Sequence, residues 1–146
     1  MRPSVLWLLF ASLASSAGSF VQAEQTLGSR ARFHVPMSCA AVAHIRSADY
    51  PEASRVHDGG HTPRSAEETE RATLGLRWRH RRDFAIETAA EAFTELYGRR
   101  PTDDELHDER SRWVHKLMDY PDALRQAVRM NCASLFDLAD VSHPRD

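Results

Sequence analysis

The stretch "SAEETERATLGLRWRHRRDFAIETAAEAFTELYGRRP", residues 65–101, decides the fold. Ser65 followed by Glu68 has the spacing of a capping box, in which a hydroxyl and a carboxylate satisfy each other's free backbone amides at a helix start. Leu74, Trp78, Ala85, Ala89, Ala92 and Leu96 then recur at multiples of roughly three and four residues, so they share one face of a helix. Gly98 and Pro101 supply the stop. The pattern predicts either one helix over 66–97 or two shorter helices that break near Arg81.

Outward from this segment the same periodicity holds. Towards the C-terminus, Thr102 and Glu105 repeat the capping box, and Leu106, Trp113, Val114, Leu117 and Met118 form the next apolar face. Pro121 opens a last helix on which Leu124, Ala127, Val128, Cys132 and Leu135 align. Towards the N-terminus, "ADYPEASRVHDGGHTPR" (48–64) holds two prolines and a Gly-Gly pair, which predicts a loop. A first helix is expected from Pro36 to about Ser47, with Cys39, Val42 and Ala43 on one face. No stretch beyond the N-terminal region alternates polar and apolar residues over a strand's length. The expected fold is therefore all-α, a small bundle of about four helices.

The chain begins "MRPSVLWLLFASLASSAGSFVQAEQ", with Arg2 before an apolar run and small residues at Val21 and Ala23. This order of charge, apolar core and small residues is that of a secretory signal peptide cleaved after Ala23. A run of about ten apolar residues is too short to cross a bilayer of roughly 30 Å, so no stable membrane insertion is expected after processing. The expected organisation is a signal peptide (1–23), a flexible N-terminal segment (24–35), a helical domain (36–140) and a C-terminal tail (141–146). A periplasmic or secreted location follows. Of the charged groups only Arg2 leaves with residues 1–23, so the formal charge moves from -2 to -3. All basic residues except Lys116 are arginines, a skew that points to a GC-rich bacterial coding sequence.

Cys39 and Cys132 lie near opposite ends of the processed chain, and an oxidising compartment predicts that they pair. A bridge closing a loop of about ninety residues restricts the unfolded chain by up to about 4–5 kcal/mol. It would clamp the first helix to the last.

Four arginines crowd "RWRHRRD" (77–83). On a helix Trp78 follows Leu74 by one turn and belongs to the buried face, while Arg77, Arg79, Arg81 and Arg82 spread over the remaining surface. They form no coherent basic strip, and the exported chain is acidic overall, which excludes nucleic acid as the expected partner. Asp83, Glu87, Glu91 and Glu95 recur every four residues and make an acidic stripe beside them. Like charges at this spacing repel by a few tenths of a kcal/mol per pair unless cations lie nearby, and Arg79 is placed to cap the stripe. Two readings stand: a solvated helix with its own salt bridges, or a charged docking surface for a macromolecule, most simply a protein.

The chain holds eight histidines. The one tight cluster is "HDGGH", where His57, Asp58 and His61 offer two imidazoles and a carboxylate to zinc or copper. Otherwise no cofactor is expected. The His107-Asp108 pair resembles the histidine-aspartate of secreted phospholipases A2, but the flanking cysteines and the glycine-rich calcium loop are missing, so no role carries over. Neither G-x-S-x-G nor H-E-x-x-H occurs, and binding rather than catalysis is the expected mode of action.

The exported helical plan with one cysteine in "SCAAVAHI" and another in "MNCASLFDLA" resembles, in architecture, small periplasmic inhibitor or immunity proteins. That resemblance implies a chain that binds and blocks a cell-wall-degrading enzyme. The leading expectation is an exported, non-catalytic binding protein. Metal binding through His57 and His61, and inhibition of a cell-wall hydrolase, are the alternatives.

Overall fold

The structure, a computed structural model, describes residues 14–142. These form six helices: α1 (Ala14–Ala48), α2 (Pro51–His57), α3 (Ala66–Tyr97), α4 (Asp103–Asp119), α5 (Asp122–Asn131) and α6 (Ala133–Ser142). Among the described residues there is no strand. The all-α class holds, while the count of about four rises to six because a helix forms in the expected loop and the expected last helix divides in two.

The first helix does not start at Pro36. Helix α1 runs through it, at the expense of the hydrogen bond that a proline at this position cannot donate to the carbonyl of Arg32. Pro36 is buried, so packing outweighs the lost bond. The expected loop 48–64 contains α2, which opens with Pro51 at a position suited to proline and buries Ala53 completely. Finally, the expected last helix is interrupted at Cys132, whose amide is shared between the carbonyls of Val128 and Arg129, both at 3.2 Å. The apolar segment of the expected signal peptide, up to residue 13, and the tail beyond residue 142 lie outside the described residues.

Residues 66–97 form one uninterrupted helix. Ser65 Oγ accepts the amide of Glu68 at 3.1 Å, but the Glu68 carboxylate turns to the Arg64 amide (2.7 Å) instead of closing the box. The second box is complete: Thr102 Oγ1 accepts from the Glu105 amide (3.2 Å) and Glu105 accepts from the Thr102 amide (2.8 Å). Gly98 ends α3 in the left-handed conformation, φ 68°, with its amide on the Thr94 carbonyl.

The core lies between α1 and α3, which make the most extensive contact, with α4 and α6 closing its sides. Its lining is small: Ala40, Ala41 and Ala43 of α1 and Ala85, Ala89 and Ala90 of α3 are all fully buried. Small side chains let two helix backbones approach closely, so long charged residues can crowd the periphery while the seam stays dry. At the α2–α3 crossing Gly75 goes further still, since a Cβ there would stand 2.5 Å from Ala53 Cβ and 2.8 Å from Tyr50 Cβ.

Larger groups fill the ends. Met37 is wholly buried with Leu106 at one end, and the Cys39–Cys132 disulfide packs among Val42, Leu117 and Phe136 at the other. The bridge spans 93 residues and joins α1 to the α5–α6 junction. Among the described residues no helix is long and apolar enough to cross a membrane.

Candidate functional site

The arginine-rich segment of α3 is largely occupied inside the protein. Arg81 makes two hydrogen bonds to Asp140 of α6 (2.9 and 2.7 Å), and its guanidinium stands 4.6 Å above the Trp78 ring and 5.4 Å from that of Phe136. Trp78 meets Phe136 edge to face at 5.6 Å. His80 Nε2 reaches the Ala139 carbonyl at 2.9 Å. Together these contacts fasten α6 onto α3. The guanidinium beside Asp140 holds that carboxyl below the usual carboxylate range, and the charge of Arg77 adds to the effect.

Arg79 does not cap the acidic stripe. It turns to α2, donating to Ser54 Oγ and lying 3.5 Å from Asp58. Arg82 pairs with Asp83 at 2.7 Å instead.

Asp83, Glu87, Glu91 and Glu95 are all exposed along α3. Arginines from other segments reach two of them, Arg100 on Glu87 (2.8 and 2.6 Å) and Arg32 on Glu95 (3.4 Å). Exposed pairs of this kind contribute little to stability, but they cancel much of the field the stripe would project.

The histidine loop is likewise engaged. His61 Nε2 is 3.0 Å from Glu68, Asp58 faces Arg79, and His57 stands in solvent. Among the described residues no three His, Cys, Asp or Glu side chains converge as a metal would require. The zinc or copper set His57, Asp58 and His61 is therefore not assembled, because two of its members are turned to other partners. His107 contacts Arg110 at 3.1 Å, and Asp108 is exposed.

One surface differs in kind. Helix α5 carries Leu124, Ala127 and Val128 at helical spacing, yet none of its residues is buried; Leu124 and Ala127, expected in the core, are exposed. Met118, also expected in the core, is 67% exposed. Between α1, α4 and α5 these helices leave a pocket of about 90 Å³ with an apolar floor of Val42, Ile45, Leu117 and Met118.

Arg46, Arg125 and Arg129 ring the pocket. Arg46 reaches Asp49 at 3.4 Å and Arg125 pairs with the exposed Asp122, whereas Arg129 has no ion pair among the described residues. An apolar floor lowers the local dielectric, so the rim charges act more strongly there than over open surface. Arg129 is thus the one rim charge that no carboxylate offsets among the described residues.

The exposure of Leu124, Ala127 and Met118 was not legible in the sequence, because their spacing predicts burial. The available signal was the pairing of Arg125 and Arg129 with Leu124 and Val128 on one short helix. Comparison with protein-family models, with curated proteins and with solved structures gives no match.

Proposed function

We propose that this chain is an exported, single-domain binding protein that captures another protein by seating one apolar side chain of the partner in the α1–α4–α5 pocket. Carboxylates flanking that side chain meet Arg125 and Arg129. The observation that carries this reading is the pocket itself, an apolar floor with an arginine rim. Its size selects the kind of ligand. About 90 Å³ is well below the roughly 300–1,000 Å³ of a drug-sized site. It lies between the ~30 Å³ share of one water and the ~150 Å³ of a cavity that accepts benzene, which suits a single aliphatic side chain.

Arginine and methionine are enriched at protein interfaces, and a buried anchor in a small pocket is the usual centre of binding energy. The signal peptide 1–23 and a periplasmic or secreted location belong to the same proposal, supported by the order of residues at the N-terminus and by the disulfide. Cleavage after Ala23 leaves the half of α1 that carries its core residues, Met37 to Ala43. Inhibition of a cell-wall hydrolase is the specific form of this reading that the architectural resemblance suggests.

A photoreactive residue placed at Met118 tests it in the native host. The expected result is one dominant crosslinked envelope or secreted protein, lost when Arg129 is changed to glutamate. Crosslinking that is absent, or indifferent to Arg129→Glu, would remove the pocket from the proposal.

A further inference from the structure

The sulfur atoms of this fold differ sharply in their access to solvent. Cys39 and Cys132 are joined and wholly buried, and no free thiol is present among the described residues. Met37 is wholly buried too, whereas Met118 and Met130 are 67% and 68% exposed. Peroxide reaches a thioether in solvent far more readily than one sealed in a core. The two exposed methionines also differ from each other. Met118 of α4 lines the α1–α4–α5 pocket beside Val42, Ile45 and Leu117, while Met130 of α5 takes no part in its lining.

We propose, resting on the binding role given above to that pocket, that Met118 is a modification site, oxidised reversibly by peroxide to methionine sulfoxide, and that its oxidation closes the pocket to an aliphatic side chain. In the forward step the sulfur attacks one oxygen of hydrogen peroxide. The O–O bond breaks, an S–O bond forms, the sulfur gives up two electrons and water leaves. In the reverse step the dithiol of a sulfoxide reductase removes the oxygen as water and becomes a disulfide.

Three features of the pocket make it responsive to one added oxygen. Its volume of about 90 Å³ suits a single aliphatic side chain, so a hydrated S–O group competes for the same space. Val42, Ile45 and Leu117 offer that oxygen no side-chain donor, and covering an S–O dipole with another apolar group opposes binding. Arg129 lines the same pocket without an ion pair among the described residues. The sulfoxide oxygen accepts a hydrogen bond, and a guanidinium that donates to it is drawn away from a partner's carboxylate.

The fold itself does not depend on the Met118 sulfur. Leu117, next to it on α4, makes the core contact with the disulfide and Phe136. Oxidation at Met118 therefore changes the pocket and leaves the bundle intact.

The test uses the full processed chain, disulfide intact, with isotope-labelled methionine methyl groups read by NMR during treatment with dilute hydrogen peroxide. Met118 and Met130 should convert to the sulfoxide about tenfold or more faster than Met37. A capped Asp-Leu-Asp peptide is the probe of the pocket, its binding read from its own leucine methyl signals. Its affinity for the wild type should fall about tenfold or more on oxidation and return after treatment with a methionine sulfoxide reductase and a dithiol. Met118→Leu should show one affinity before and after peroxide, whatever its starting value, whereas Met130→Leu should lose affinity as the wild type does.

A Met118 as resistant as Met37 overturns the proposal. So does an unchanged affinity of the wild type once Met118 is fully oxidised, a result that leaves the pocket itself standing. Loss of helical circular dichroism on oxidation would trace the effect to unfolding and overturn it as well. A wild type that binds no peptide before oxidation overturns the pocket as a receptor and the switch with it.

Discussion

Removing the disulfide by the double substitution Cys39→Ala, Cys132→Ala should cost this fold a large share of its stability. The bridge closes a separation of 93 residues, for which the loss of unfolded-state entropy corresponds to about 4.6 kcal/mol at 25 °C. A single domain has in total only about 5–15 kcal/mol. Part of the entropic gain is offset wherever the unfolded chain keeps residual structure, so about 3–4 kcal/mol is the expected loss. Loss of the buried sulfurs beside Leu117 and Phe136 acts in the same direction.

Urea unfolding followed by circular dichroism measures the effect. The midpoint should fall and the slope should rise, because the uncrosslinked chain exposes more surface when it unfolds. A variant within about 1 kcal/mol of wild type, with an equal slope, would refute the view that this bridge holds α1 to the α5–α6 junction.

Gly75→Ala should destabilise although alanine is the better helix former by about 1 kcal/mol, since its Cβ would collide with Ala53 and Tyr50 and overpacking costs about 1–3 kcal/mol; a raised melting temperature would refute the close α2–α3 crossing. Arg81→Met should release α6 at a cost of about 1–2 kcal/mol, read as faster amide exchange over Phe136–Val141, and unchanged exchange there would remove the Arg81–Asp140 clamp. Acid should destabilise progressively. Glu52 (through Arg71), Glu68 (through the Arg64 amide), Asp140 (through Arg81) and Glu105 (through Arg99, down to about 2) all titrate below their ordinary values in the fold. Each takes up its proton more readily when unfolded, so the stability they give above about pH 4.5 is lost as pH falls towards their folded values. His44, held below 6.5 by burial and its cationic neighbours, adds a loss that begins as pH drops through 6.5. A melting temperature that stays flat between pH 7 and pH 3 would contradict this.

Much of the fold was legible because local signals agreed with packing. Ser65, Gly98 and the Thr102–Glu105 box mark real helix ends, and Cys39, Val42, Ala85 and Leu117 are buried where periodicity puts them. The misses share a physical cause. Pro36 suits a helix start, but nothing local announces that tertiary packing will tolerate it inside a helix. The segment before "HDGGH" reads as loop because its short helix depends on a distant partner, Gly75.

The ion pairs and exposed apolar groups of the surface were not legible for a related reason. Charge periodicity on α3 shows where carboxylates stand but not that Arg100 and Arg32 arrive from other segments to meet them. On α5 an apolar stripe has the same appearance whether its partner is the chain's own core or another molecule. Leu124 and Met118 are exposed, a distinction only the tertiary arrangement makes.

The most direct measurement is the affinity of the crosslinked partner, by calorimetry, for the wild type, for Arg125→Glu/Arg129→Glu and for a variant with Glu87 and Glu91 changed to lysine. Expected is a loss of at least tenfold on reversing the pocket arginines, little change on reversing the α3 carboxylates, and weaker wild-type binding as salt rises. Equal affinity of the arginine variant and the wild type, with binding lost on reversal of Glu87 and Glu91, would move the docking surface from the α1–α4–α5 pocket to α3.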